Sequence, residues 1–137
     1  MKYLLDTCVL SESRLKYAND GLKKWLLFTP GEALFISVIS IGEIRYGIER
    51  LAEGQRKSQL AAWLEYELTP WFYGRVLSLD IDTLNCWGSM RARSRTLPAI
   101  DSLLAATAIQ HRLTLVTRNV KDFGGITELQ IINPWEA

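Results

Sequence analysis

Five short apolar runs, held apart by segments long enough for helices, constrain this chain more than any other feature of it. The runs are Lys2–Leu5, Leu34–Val38, Val76–Leu79, Leu113–Thr117 and Leu129–Ile132. Each is aliphatic or β-branched, and Asp, Ser, Asn or Pro marks its end, as at strand ends. Between them apolar residues recur three and four apart: Ile41, Ile44, Ile48 and Leu51, then Leu60, Trp63, Leu64 and Leu68, then Leu84, Trp87 and Met90. That spacing predicts helices over 40–51, 55–72 and 83–95. A fourth over 98–111 is opened by Pro98 at its first helical position, and 7–25 holds one or two short helices. Strands joined by helices need crossover connections and pair in parallel. A parallel sheet is covered on both faces, so its strands read as continuous apolar runs. The expected fold is α/β: a single α/β/α domain over residues 1–137, with a mostly parallel five-stranded sheet.

Composition agrees and narrows the function classes. The chain has 137 residues, 48% hydrophobic and 23% charged, which is ordinary globular usage and excludes a disordered chain. A membrane helix needs about twenty apolar residues, and the uncharged run Ala33–Gly42 has ten. The opening residues carry Lys2 and Asp6 and no long apolar stretch, so no secretory signal is expected. Net charge is +1, so any grip on nucleic acid must come from local patches. Cys8 and Cys86 sit among apolar neighbours and read as buried free thiols of a reducing cytoplasm. One His and two scattered Cys cannot build a zinc site, so a metal here would have oxygen ligands, as Mg²⁺ or Mn²⁺ does.

In open parallel sheets, ligands bind at the carboxyl ends of the strands. Four residues fall there. Asp6 follows the first run, and capping the next helix would explain it equally well. Glu43 follows the second in Ser40-Ile41-Gly42-Glu43, a capping-box pattern that is a structural explanation in itself. Asp101 stands in the first turn of the most apolar helix, where the helix dipole favours a carboxylate. Asn119 follows the fourth run, with Asp122 three residues on, and an Asx-turn would account for it. Each structural reading suffices alone, but the coincidence of all four is informative. Three carboxylates in one crevice repel, and a bound divalent cation removes the conflict.

These segments together resemble the PIN-domain ribonucleases, nearest the VapC and FitB-like toxins of bacterial type II toxin–antitoxin pairs. The resemblance is carried by Tyr3-Leu4-Leu5-Asp6-Thr7-Cys8-Val9-Leu10-Ser11, by Glu43-Ile44-Arg45-Tyr46-Gly47, by Asp101-Ser102-Leu103-Leu104-Ala105-Ala106-Thr107-Ala108, by Leu115-Val116-Thr117-Arg118-Asn119 with Phe123, and by Asn133-Pro134-Trp135. It implies Mg²⁺-dependent endonuclease chemistry on RNA and an antitoxin protein that blocks the site. It places Asp6, Glu43 and Asp101 at the three acidic positions and Asn119 at a fourth that is Asp or Asn. It implies that these hold the metal, that Glu43 takes a proton from the attacking water, and that the products are a 3′-hydroxyl and a 5′-phosphate. An amide at 119 lowers the site's charge by one, and Asp122 ranks behind it as a substitute.

Arg91 and Arg95, one turn apart, and Arg118 are candidate phosphate clamps; the bland reading is a solvated charged face. Lys23, Lys24, Arg56 and Lys57 rank after them. Five Trp suit core and interface packing, and the aromatic stretch Trp63–Tyr73 suits a homodimer or antitoxin groove. The expected partners are thus RNA, an antitoxin and a second copy, with no membrane. A housekeeping PIN nuclease and a catalytically inactive PIN interaction module are the alternatives.

Overall fold

The computed structural model describes residues 1–94 and 97–136. Its strands are β1 (Tyr3–Leu5), β2 (Leu34–Ser37), β3 (Val76–Leu77), β4 (Thr114–Val116) and β5 (Ile131–Ile132). Its helices are α1 (Thr7–Ser13), α2 (Asp20–Phe28), α3 (Val38–Glu49), α4 (Gln55–Trp63), α5 (Thr69–Trp71), α6 (Ile81–Arg93) and α7 (Ala99–Gln110). The sheet order is β3-β2-β1-β4-β5, and every pairing is parallel. Each strand lies within one of the expected runs.

Two cores flank the sheet, and neighbouring strand residues divide between them. Leu4 and Leu115 face α6 and α7, where Met90, Leu104, Ala105 and Ala108 are buried. Leu5 and Val116 face the other way, onto Val9, Leu22, Ile44 and Leu64. This two-sided burial is why the runs show no alternation. Full burial of a Leu side chain stabilises by about 1.5–3 kcal/mol, and Leu4, Leu5 and Leu115 are each 0–1% exposed.

Three helix expectations shift. The long helix over 55–72 is interrupted by a π-helical turn, Leu64–Leu68, before α5. Pro70 cannot donate to the carbonyl one turn back and its ring crowds it, and a widened turn relieves that clash. Pro98, expected as the first helical residue, is instead the N-cap of α7, which starts one residue later at Ala99. The α6 helix ends at Arg93, and Arg95 lies outside the described residues. Among the described residues, no helix is long and apolar enough to cross a membrane. Cys8 and Cys86 are free, but half-buried rather than buried.

Candidate active site

Asp6 sits at the end of the central strand. Its backbone N–H donates to Val116 O at 3.0 Å, which keeps it in the sheet. Its two carboxylate oxygens serve different purposes. Oδ1 accepts the Thr7 N–H at 2.7 Å and caps α1, while Oδ2 accepts the Thr117 hydroxyl at 2.7 Å. The residue is 6% exposed. The capping reading of Asp6 is therefore correct for one oxygen only.

The capping-box reading of Glu43 fails. Ser37, three residues before Ser40, caps α3, its Oγ accepting the Ile39 N–H at 3.0 Å. The strand runs straight into the helix, so the helix takes its cap from the strand's last residue. Ser40 and Glu43 are thereby released from the helix end. Glu43 is half-buried in the second turn, and its Oε1 accepts the Thr7 hydroxyl at 2.6 Å. Thr7 Oγ1 also lies 2.9 Å from Ser40 Oγ, tying α1 to α3.

Asp101 is in the first turn of α7 and half-buried. Burial pushes its carboxyl above the ordinary value, and the negative charges of Asp6, Glu43 and Asp122 push it further. Asp101 thus lies within electrostatic reach of three carboxylates from other segments. Asn119 follows β4 and is exposed; its N–H donates to Thr117 Oγ1 at 3.0 Å, and its side chain makes no capping bond to the following turn. Thr117 thus donates to Asp6 and accepts from Asn119. The Asp122 charge reaches Asp101 from the same loop.

The topology explains the convergence. The strand order turns at β1, with β2 and β3 on one side and β4 and β5 on the other. Asp6 leaves β1, Glu43 belongs to the helix leaving β2, and Asn119 leaves β4, so their segments meet at this switch point. Two hydroxyls there, Thr7 and Thr117, had no role in the sequence analysis, and a third, Ser40, was expected only as a helix cap. The available signal was a Thr directly after Asp6 and another closing the fourth run. Cys8 Sγ lies 3.8 Å from Asp6 Oδ2, and burial followed by the Asp6 charge pushes its thiol up.

Two of the expected arginine clamps, Arg91 and Arg118, meet partners within the chain. The Arg91 guanidinium donates to Leu97 O and pins the turn entering α7. Arg118 Nη1 is 3.9 Å from Glu12 Oε1, with the guanidinium 5.9 Å from the Trp135 ring centre. The Trp135 indole N–H donates to Glu12 Oε2 at 3.1 Å, anchoring the tail to α1.

Among the described residues, no group of three or more Asp, Glu, His or Cys side chains is placed to hold a metal ion between them. The donor set is nonetheless all oxygen and mutually repelling, and Asp101 carries that repulsion. Such a set fits a hydrated Mg²⁺ or Mn²⁺, which is held by one or two carboxylates and keeps several waters.

A five-stranded parallel sheet with acidic residues at its switch point is the PIN arrangement, and a PIN domain model matches residues 3–126. The chain belongs to the PIN-domain family. It is 34% identical to toxin FitB of Neisseria gonorrhoeae, over 96% of this chain and 97% of that one. It is 32% identical to a VapC ribonuclease of Sinorhizobium fredii, over 97% of each. The crystal structure of FitAcB from Neisseria gonorrhoeae superposes with a TM-score of 0.91 at 33% identity, over 98% of this chain and 99% of that one. PIN ribonucleases generally depend on a divalent metal.

Proposed function

We propose that this chain is a metal-dependent endoribonuclease and the toxin of a toxin–antitoxin pair. The observation that carries this reading is the convergence of Asp6, Glu43, Asp101 and Asn119, from four separate segments, at the carboxyl edge of a parallel sheet, with Thr7 bonded to Glu43 and Thr117 to Asp6. Asp6 and Asp101 would hold Mg²⁺ or Mn²⁺, with Glu43 and Asn119 beside them. The bound ion would supply Lewis-acid polarisation of the phosphate and lower the pKa of water at the site.

The rest is done by the chain's own groups. Thr117 and the Thr7 N–H each hold one Asp6 oxygen, so that carboxylate is fixed before any substrate arrives. Thr7 holds Glu43 Oε1 and leaves the other oxygen to accept a proton from the attacking water. In-line attack breaks the P–O3′ bond and leaves a 3′-hydroxyl and a 5′-phosphate.

The toxin reading rests on the relatives and on a second surface. An apolar groove of about 340 Å³ is lined by Leu5, Val9, Leu26, Trp63, Leu68 and Trp71 among others. Tyr66, Trp71 and Tyr73 nearby are 52–90% exposed. Such a face suits an antitoxin segment, and a homodimer would cover further apolar surface. The test is RNA cleavage by purified protein with Mg²⁺ and with EDTA. Metal-dependent products that carry a 5′-phosphate and are absent from Asp101→Asn support the assignment; metal-independent cleavage would sink it.

A further inference from the structure

An RNA substrate is a polyanion, yet Arg91 and Arg118 are engaged within the protein and Arg93 pairs with Glu128 at 3.0 Å. Arg14, at the end of α1, and Arg56, in the first turn of α4, are exposed, and among the described residues neither makes an ion pair. Both line a path that begins at the catalytic edge. Thr7, Glu43, Arg14, Leu60 and Trp63 line a cavity of about 180 Å³. Arg14, Leu60 and Trp63 also line the next, of about 460 Å³, together with Arg56, Gln59 and Glu67. The Arg14 guanidinium lies over the half-buried Trp63 ring, 5.8 Å from its centre.

Glu43 also borders a second cavity, of about 570 Å³, walled by Ile39, Tyr46, Leu79, Ile100 and Leu103 and bearing no cation. A phosphodiester chain leaving the site takes the cationic route, because the other offers only a carboxylate. A groove with cations for the backbone and an aromatic face for a base is how single strands are held without sequence readout. We infer that single-stranded RNA leaves the catalytic edge between α1, α3 and α4, its phosphates at Arg14 and Arg56 and one base stacked on Trp63. This rests on the nuclease reading and adds the path of the substrate and the residues that hold it.

The test is binding of a fluorescein-labelled oligouridylate to Asp101→Asn protein in EDTA, titrated with KCl. Arg14→Ala and Arg56→Ala should each weaken binding and lower the slope of log K against log[KCl] by about 0.7, the single-strand value for one phosphate contact. Arg14→Lys should keep the slope, which guards against a folding defect in Arg14→Ala. Trp63→Leu should cost about tenfold in affinity with the slope unchanged. Arg93→Ala, the same charge change at a residue paired to Glu128, should leave the slope unchanged. Unchanged slopes in both path variants, with metal-dependent cleavage intact in the otherwise wild-type protein, overturn the path and return the groove to a protein partner. An equal fall in Arg93→Ala overturns it in favour of bulk charge. Absence of both RNA binding and cleavage removes the nuclease reading itself.

Discussion

Thr117 Oγ1 donates to Asp6 Oδ2 at 2.7 Å across 111 residues of sequence, and both residues are buried. The bond joins the ends of β1 and β4 and fixes one carboxylate oxygen at the switch point. Thr117→Val keeps the shape and removes the donor, leaving a buried carboxylate oxygen underbonded. The expected cost is about 1–3 kcal/mol, read by urea denaturation, with reduced cleavage. Thr117→Ser should recover both; no loss in Thr117→Val would mean that the bond does not hold the site.

Asp101→Asn should abolish cleavage without weakening the metal-free fold. The folded-state pKa of Asp101 is raised. A raised carboxyl gives stability that is complete below its unfolded value, about 3.9, and lost as pH rises through the folded value. Metal-free wild type is therefore penalised at neutral pH and Asn is not. Thermal melts should place the variant at or above wild type at pH 7.5, with the advantage vanishing near pH 4. A variant less stable at pH 7.5 would contradict the raised pKa.

Glu43→Gln separates structure from chemistry. Gln Oε1 can still accept the Thr7 hydroxyl, and α3 is capped by Ser37, so the melting temperature should hardly move. Most activity should be lost with the charge. Full cleavage by this variant would make Glu43 a strut between α1 and α3.

Divalent metal should stabilise the folded chain by binding the ionised cluster. At free Mn²⁺ about ten times its dissociation constant, mass action gives roughly 1.4 kcal/mol, or about 4–6 °C for a chain this size. An equal shift in Asp101→Asn, or none in wild type, would remove these carboxylates as the metal site.

An antitoxin should present an Arg or Lys to Asp6, Glu43 and Asp101, since uncompensated carboxylates attract a cation. Neutralising that residue in the antitoxin should restore cleavage by the complex. Continued inhibition, with contacts confined to the face opposite the strand ends, would place the block elsewhere.

The sheet was legible because burial on both faces forces unbroken apolar runs, as Leu4 and Leu5 show by entering opposite cores. The acids were legible because strand ends in such a sheet converge. The Ser37 cap was not: in sequence Ser37 reads as part of an apolar strand, and Ser40 matches the capping pattern better. The hydroxyl links from Thr7 and Thr117 depend on contacts 36 and 111 residues apart, which no local pattern encodes. Nor could local pattern reveal that Arg91 would turn back to Leu97 O, or that Arg14 would meet Trp63.

Asp6 leaves a strand bonded on both sides, and its own amide is held by Val116 O. Loosening this end of the site means opening the middle of the sheet, where local unfolding costs nearly as much as global unfolding. Asp6 therefore has no cheap inactive position to relax into. On the proposed function, restraint would then come from outside, as a cover over the acids or as removal of the molecule, and activity should return as soon as the cover is lost. Hydrogen-exchange protection of the Asp6 amide matching the global unfolding free energy would be the signature of that permanence.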